Sequence, residues 1–124
     1  MTLDLVVFDL FTGRVEFYKC GAANTAVKRN GKVTEVGFCS VPLGIISNIE
    51  TGMGSGMLGN GDVIIMYSDG VREEDEFYLQ KQLRKFSSGN VHDFTVELCE
   101  NIRQNQPEKN DDMTVLTLAV TKND

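Results

Sequence analysis

Histidine and cysteine are scarce in this chain of 124 residues, which has one histidine and three cysteines. His92 alone cannot build a zinc site rich in histidines, and it argues against a catalytic triad that depends on histidine. The cysteines, Cys20, Cys39 and Cys99, lie far apart and form no Cys-x-x-Cys pair. Their odd number and wide spacing predict reduced thiols in a cytosolic chain. The length predicts a single domain, residues 1–124.

Positive charge is also scarce, since the chain has 12 basic and 18 acidic residues and its net charge is −6. Nucleic-acid-binding proteins need a basic face, and so do polybasic membrane-binding patches, so neither class is expected. The longest apolar runs, Leu5–Phe8 and Val63–Tyr67, are too short to span a bilayer. No signal peptide is visible, because Asp4 stands where a basic segment would be needed.

Short apolar segments indicate strands in the first half of the chain and again at its end. An Asn30-Gly31 pair between two of these segments is the strongest signal for a two-residue hairpin turn. The first segment has apolar residues on both parities, which predicts a strand that is buried on both faces. The predicted strands are Leu3–Leu10, Val15–Cys20, Thr25–Arg29, Lys32–Phe38, Ile46–Met53, Asp62–Ser68 and Met113–Val120.

Two helices are predicted between the last two strands. The first follows the acidic stretch Glu73–Glu76, which complements the helix dipole, and the second follows Asn90, a candidate N-cap. Their apolar positions recur at helical spacing. These positions are Leu79, Leu83 and Phe86 in the first helix, and Val91, Phe94, Leu98 and Ile102 in the second. The fold class is therefore α+β with a largely antiparallel sheet.

The glycine-rich segment Gly54–Gly59 satisfies the pattern G-x-G-x-x-G. A dinucleotide-binding loop needs a strand before the glycines and a helix after them, whereas a strand follows here. We therefore interpret the segment as a flexible or bulged connection between strands. The sequence also contains no P-loop and no nucleophile elbow.

Acidic residues at strand boundaries are the strongest candidates for chemistry. Asp69 follows a β-branched strand, and Asp111-Asp112 precedes the last strand. If these two strand ends lie side by side, their carboxylates form a hard-oxygen site suited to Mg²⁺ or Mn²⁺. On composition alone, ordinary turn chemistry is the alternative, because Asp and Gly favour turns.

Two longer motifs carry a family resemblance. They are Gly61-Asp62-Val63-Ile64-Ile65-Met66-Tyr67-Ser68-Asp69-Gly70-Val71 and Asn110-Asp111-Asp112-Met113-Thr114-Val115-Leu116. In this order, with Gly21-Ala22-Ala23 and Pro42-Leu43-Gly44 before them, they resemble the metal-dependent protein serine/threonine phosphatases (PPM, or type 2C). The likeness is closest to the stage II sporulation protein E type and runs along essentially the whole chain. It implies part of an α/β/β/α sandwich of mostly antiparallel strands with two C-terminal helices.

The resemblance also implies roles for single residues. Asp69 and Asp111 match acids that ligate one of two bridged Mn²⁺ or Mg²⁺ ions. Asp112 stands where the family usually has Asn and would orient a ligand or a water. Gly70 would let the chain turn away without blocking the site, and no protein nucleophile is needed. The implied substrate is a phosphoserine on an anti-anti-sigma-type protein. The implied location is the cytoplasm, or the cytoplasmic face of the membrane if the parent protein is membrane-anchored.

One departure from the family pattern concerns the metal site. Family members open with an early Asp-Gly motif whose acid bridges both metals, whereas Asp9 here is followed by Leu10. The chain thus resembles the C-terminal half of a phosphatase domain, and we expect it to be inactive by itself. Uncovered sheet edges would then favour self-association. The alternative is a non-catalytic module of the same fold that binds a phosphoprotein or another partner.

Overall fold

The computed structural model describes residues 3–37, 52–87, 89–106 and 112–121, and it confirms the α+β class. Among the described residues, strands follow one another along the chain until two helices precede the last strand. The elements are β1 (Leu3–Phe8), β2 (Arg14–Cys20), β3 (Thr25–Arg29), β4 (Lys32–Val36), β5 (Gly52–Met57), β6 (Val63–Tyr67), α1 (Glu73–Lys85), α2 (Val91–Gln104) and β7 (Val115–Ala119).

The strands form two antiparallel sheets with the orders β1-β2-β5 and β4-β3-β6-β7. One apolar core lies between the sheets, where Phe17 of the first packs with Val27 and Ile64 of the second. A second core lies between the four-stranded sheet and the helices, and it includes Ile65 and Leu79. The described residues therefore form three layers, two sheets and one helical layer. Neither described helix is long and apolar enough to cross a bilayer.

Local signals explain two of these boundaries. The β3–β4 turn has positive φ at Asn30 (52°) and Gly31 (77°), which a two-residue hairpin turn of this twist requires. At the start of α2, Asn90 Oδ1 accepts a hydrogen bond from the backbone N–H of Asp93 at 3.1 Å. Both predictions, the hairpin turn and the N-cap, are confirmed.

The glycine-rich segment is a strand over part of its length, which corrects our interpretation of it as a connection. Gly54 and Gly56 pair with Phe17 and Val15 of β2. The predicted strand Ile46–Met53 lies outside the described residues except at its last two positions, as does the motif Pro42-Leu43-Gly44.

The apolar run predicts that strand β1 is buried on both faces, and this prediction is wrong. Leu3, Leu5 and Val7 are exposed, and they alternate with half-buried side chains that point toward the other sheet. An apolar outer face of the three-stranded sheet is thus left uncovered by the described part of the chain.

Candidate functional site

The ends of β6 and β7 lie side by side. These strands are antiparallel neighbours with Tyr67 opposite Val115, so the residues after β6 meet the residues before β7. Two hydrogen bonds extend the pairing beyond the strands. The Ser68 N–H donates to the Thr114 carbonyl at 3.0 Å, and the Thr114 N–H donates to Ser68 Oγ at 2.9 Å. The condition set for these two strand ends, that they lie side by side, is therefore met.

Gly70 sets how closely the two segments approach. A Cβ at this position would lie 2.4 Å from the Asp112 carbonyl oxygen and 2.9 Å from Met113 Cα. Because both neighbours are backbone atoms, only glycine fits there without moving the chain. The Gly70 carbonyl also accepts a hydrogen bond from Gln106 Nε2 at 2.9 Å, which ties the end of α2 to this turn.

The predicted site residues are placed as follows. Asp69 and Asp112 are both exposed, on the two segments that Gly70 brings together. Asp111, the second predicted metal ligand, lies outside the described residues. Within the described ranges, no three side chains of the His, Cys, Asp or Glu type are grouped so that they could hold a metal ion. The described residues therefore place two exposed carboxylates on neighbouring segments but do not by themselves form a metal site.

A cavity of about 310 Å³ opens beside Asp69. Ser68 and Thr114 contribute to its wall from the four-stranded sheet, and Asp4 contributes from β1 of the other sheet. Ala22 and Ala23, from the loop after β2, also line it. Asp69 is therefore not an isolated surface acid but borders a concave space between the two sheets.

The sequence interpretation missed Asp4, which lines this cavity, and Lys19, which pairs with it. They are opposite each other in the β1–β2 register, and Lys19 Nζ lies 2.8 Å from Asp4 Oδ1. Lys19 also donates to the Ala23 carbonyl at 2.7 Å and is 1% exposed. One signal was available: Lys19 shares its parity in the strand with Val15 and Phe17, both apolar, and that parity proved to be the buried one.

Two arginines, Arg14 and Arg72, are already paired with neighbouring acids. Arg14 pairs with Glu16 at 3.2 Å, and Arg72 Nε pairs with Asp75 at 3.0 Å. Neither side chain lines the cavity beside Asp69. The geometry therefore gives no support to either as a phosphate contact.

Comparison with known proteins identifies the family. A family model described as Stage II sporulation protein E (SpoIIE) matches residues 1–121. The chain belongs to the SpoIIE family. The SpoIIE proteins of Bacillus subtilis (strain 168) and Priestia megaterium are each 29% identical to it over 129 residues. These alignments cover 98% of this chain but 16% and 22% of the two proteins, so the chain spans less than a quarter of either relative.

Solved structures match the fold of this SpoIIE-family chain. The phosphatase domain of B. subtilis SpoIIE, presoaked with manganese, matches with a TM-score of 0.80 at 27% identity. This match covers 100% of the chain and 58% of that domain. A structure of the PP2C phosphatase domain of B. subtilis SpoIIE with a fragment of its regulatory domain matches at 0.85 and 27% identity, over 98% of this chain and 39% of that one. The resemblance and the phosphatase fold class are thereby confirmed.

A more distant likeness extends the fold comparison. The catalytic domain of the serine/threonine phosphatase PstP, in complex with two manganese ions, has a TM-score of 0.70 at 19% identity. This match covers 98% of this chain and 59% of that domain. At this sequence identity it supports the fold assignment alone.

Proposed function

We propose that residues 1–124 are the C-terminal part of a metal-dependent phosphatase domain that acts on phosphoserine or phosphothreonine in proteins. The observation that carries the proposal is the close approach of Gly70 to the Asp112 backbone. It brings two acidic strand ends together in a chain of the SpoIIE family.

In this proposal Asp69 and Asp111 hold a divalent cation, Mn²⁺ or Mg²⁺. Carboxylate oxygens are the ligands that these hard cations prefer. Asp69 is exposed, and no ion pair to its carboxylate is found among the described residues, so it is free to bind a cation. The manganese presoak of the B. subtilis domain favours Mn²⁺ as the first cation to test.

The chemistry that paired divalent cations supply in such sites is polarisation of phosphoryl oxygens and activation of a water for attack on phosphorus. In this proposal the residues of this chain position the two acidic strand ends and the groups between them. The hydrogen bonds between Ser68 and Thr114 fix the two strand ends, and Gly70 keeps the space between them clear. Asp112 orients a ligand or a water beside them.

The chain alone is proposed to be a poor phosphatase or none. Two acidic ligands are few for a tight site, since such cations take about six oxygen ligands. The early Asp-Gly motif, whose acid bridges both metals in the family, does not occur in this sequence. The chain also spans 58% of the matched B. subtilis domain. A second part of the domain would therefore supply the missing ligands.

The proposed substrate is a phosphorylated protein of the anti-anti-sigma type, and the proposed location is the cytoplasm or the cytoplasmic face of a membrane-anchored parent protein. Membership of the SpoIIE family supports the substrate class. The net charge of −6 agrees with a protein substrate rather than a nucleic acid.

Calorimetric titration with Mn²⁺ tests the metal site directly. We expect saturable binding to the 124-residue chain and its loss in the double variant Asp69→Asn/Asp111→Asn. The matched control is Asp93→Asn/Glu97→Gln, two exposed acids on α2. Equal binding by wild type and the Asp69/Asp111 variant, or no binding by the wild type, would contradict the proposal that these acids form a metal site on this chain.

A non-catalytic binding module of the same fold is the second candidate. It is favoured by the absence of the early Asp-Gly motif from this sequence. A phosphatase assay with Mn²⁺, on a longer chain in which that motif precedes residue 1, separates the two. Activity that disappears on Asp69→Asn supports the enzyme, whereas inactivity at millimolar Mn²⁺ supports the module.

A further inference from the structure

Lys19 is a buried cation beside the Asp69 cavity. Its side chain is 1% exposed, and its ammonium group is held between Asp4 Oδ1 at 2.8 Å and the Ala23 carbonyl at 2.7 Å. Burial of an ammonium group is costly unless a charged partner offsets it. Asp4 supplies the carboxylate that is paired with this buried ammonium group.

Asp4 reaches the cavity while it is held in this way. Its neighbours on β1, Leu3 and Leu5, point outward, so Asp4 points toward the other sheet. The bond to Lys19 uses one carboxylate oxygen, Oδ1, and the Asp4 side chain remains 19% exposed. Asp4 and Asp69 thus line the same space from opposite sheets.

The charges and the size of this space suit a hydrated cation. Asp4 and Lys19 offset each other, so Asp69 leaves the described wall with a net negative charge. A volume of about 310 Å³ exceeds the ~30 Å³ that one water occupies in the liquid. Lys19 also fixes the wall itself, because its bond to the Ala23 carbonyl joins β2 to the loop that lines the cavity.

We propose that Asp4 is a positioning residue of the Asp69 metal site, where its carboxylate accepts hydrogen bonds from the water shell of the cation and Lys19 fixes its orientation. This inference rests on the proposed function. Residues that orient the ligands of a metal in this way affect its affinity about 10- to 100-fold.

Mn²⁺ is the probe, and calorimetry on the 124-residue chain is the measurement. Asp4→Asn is expected to weaken Mn²⁺ binding at least about tenfold, and Asp69→Asn to abolish it. Because Asp4→Asn alone leaves Lys19 buried without its charged partner, the variant Asp4→Asn/Lys19→Met is needed as well. It removes both charges at similar side-chain size. Thermal unfolding confirms that each variant is folded, and Asp93→Asn serves as a control with wild-type affinity.

The double variant separates a positioning role from a structural one. If Asp4 only neutralises Lys19, Asp4→Asn/Lys19→Met regains wild-type affinity, and the inference is overturned. If Asp4 positions the shell of the cation, the folded double variant binds Mn²⁺ more weakly than the folded Lys19→Met variant, which also loses the bond to Ala23 but keeps Asp4. Wild-type affinity in Asp4→Asn, together with loss in Asp69→Asn, overturns this inference and leaves the proposed function standing. Unchanged binding in Asp69→Asn, or no binding by the wild type, overturns both.

Discussion

At the scale of single residues, Gly70 is the position where one added methyl group has the largest expected effect on the site. In Gly70→Ala the Cβ would lie 2.4 Å from the Asp112 carbonyl oxygen, so the two strand ends must separate. We expect a loss of about 1–3 kcal/mol in the free energy of unfolding, as for other overpacked positions, together with weaker Mn²⁺ binding. Urea unfolding and calorimetry are the measurements.

The control for Gly70→Ala is Gly59→Ala, where an added Cβ meets nothing within 4 Å. If both variants unfold at the same urea concentration, the close approach at Gly70 does not constrain the strand ends.

Glu76 gives a prediction about pH. Burial raises the pKa of this carboxyl above its ordinary value of 4.5, and repulsion from Glu35 and Glu73 adds to the effect. A raised pKa means that the folded state binds the proton more tightly than the unfolded state, so stability falls as the pH rises through that pKa. Glu76→Gln should therefore raise the melting temperature at pH 7, and this gain should shrink toward pH 4.

Glu100→Gln, at an exposed position on α2, is the comparison for Glu76→Gln. A Glu76→Gln gain that is equally large at pH 4 and pH 7, or no larger than that of Glu100→Gln, would rule out the effect of the raised pKa.

Residues of the candidate site differ in how far the sequence could predict them. Asp69 and Asp112 were found because each stands beside its strand in a continuous motif. Their closeness then follows from the pairing of β6 with β7. Asp4 and Lys19 are 15 positions apart, and only the β1–β2 register places them opposite each other. The sequence around either residue does not indicate that the two side chains form an ion pair.

At the scale of elements, Lys28 fastens α1 to the sheet. This lysine of β3 donates to the Arg84 carbonyl at 2.9 Å and to the Phe86 carbonyl, both at the C-terminal end of the helix. We expect Lys28→Met to lower the free energy of unfolding by about 1.5–3 kcal/mol, the usual value for a hydrogen bond to a charged group. Hydrogen exchange of the Phe86 amide should also become faster. Denaturant unfolding and exchange measured by NMR check the two effects.

Lys32→Met provides the control for Lys28→Met, since Lys32 is exposed on β4. Equal stability of the two variants, with unchanged exchange at Phe86, would show that the bonds from Lys28 do not hold the helix end.

Elements with strong local sequence signals could be predicted from the sequence, whereas an element that forms because a neighbouring strand pairs with it could not. The Asn30-Gly31 turn and the Asn90 cap follow from the conformations and hydrogen bonds that those side chains favour. Strand β5 has no such signal, because its glycines contribute no apolar alternation. It is a strand because β2 offers an edge for it to pair with.

At the scale of the whole molecule, both sheets end in strands with exposed apolar side chains. β1 and β7 are the outermost described strands on one side of the two sheets, and Leu5 and Leu116 are 45% and 59% exposed. An apolar cavity of about 300 Å³ lies between these two strands. The apolar residues on both parities of β1 misled the sequence interpretation for this reason, since such a pattern would suit a strand that is covered on both sides.

Uncovered edge strands tend to pair with other chains, so we expect the 124-residue chain to form dimers or larger species. Size-exclusion chromatography with light scattering over a concentration series measures this. Val7→Lys places a charge on the exposed face of β1 and should shift the population toward monomer. Val96→Lys adds the same charge at an exposed position of α2 and should not. A clean monomer at the highest concentration would contradict self-association, and an equal shift in both variants would assign the effect to net charge rather than to the strand.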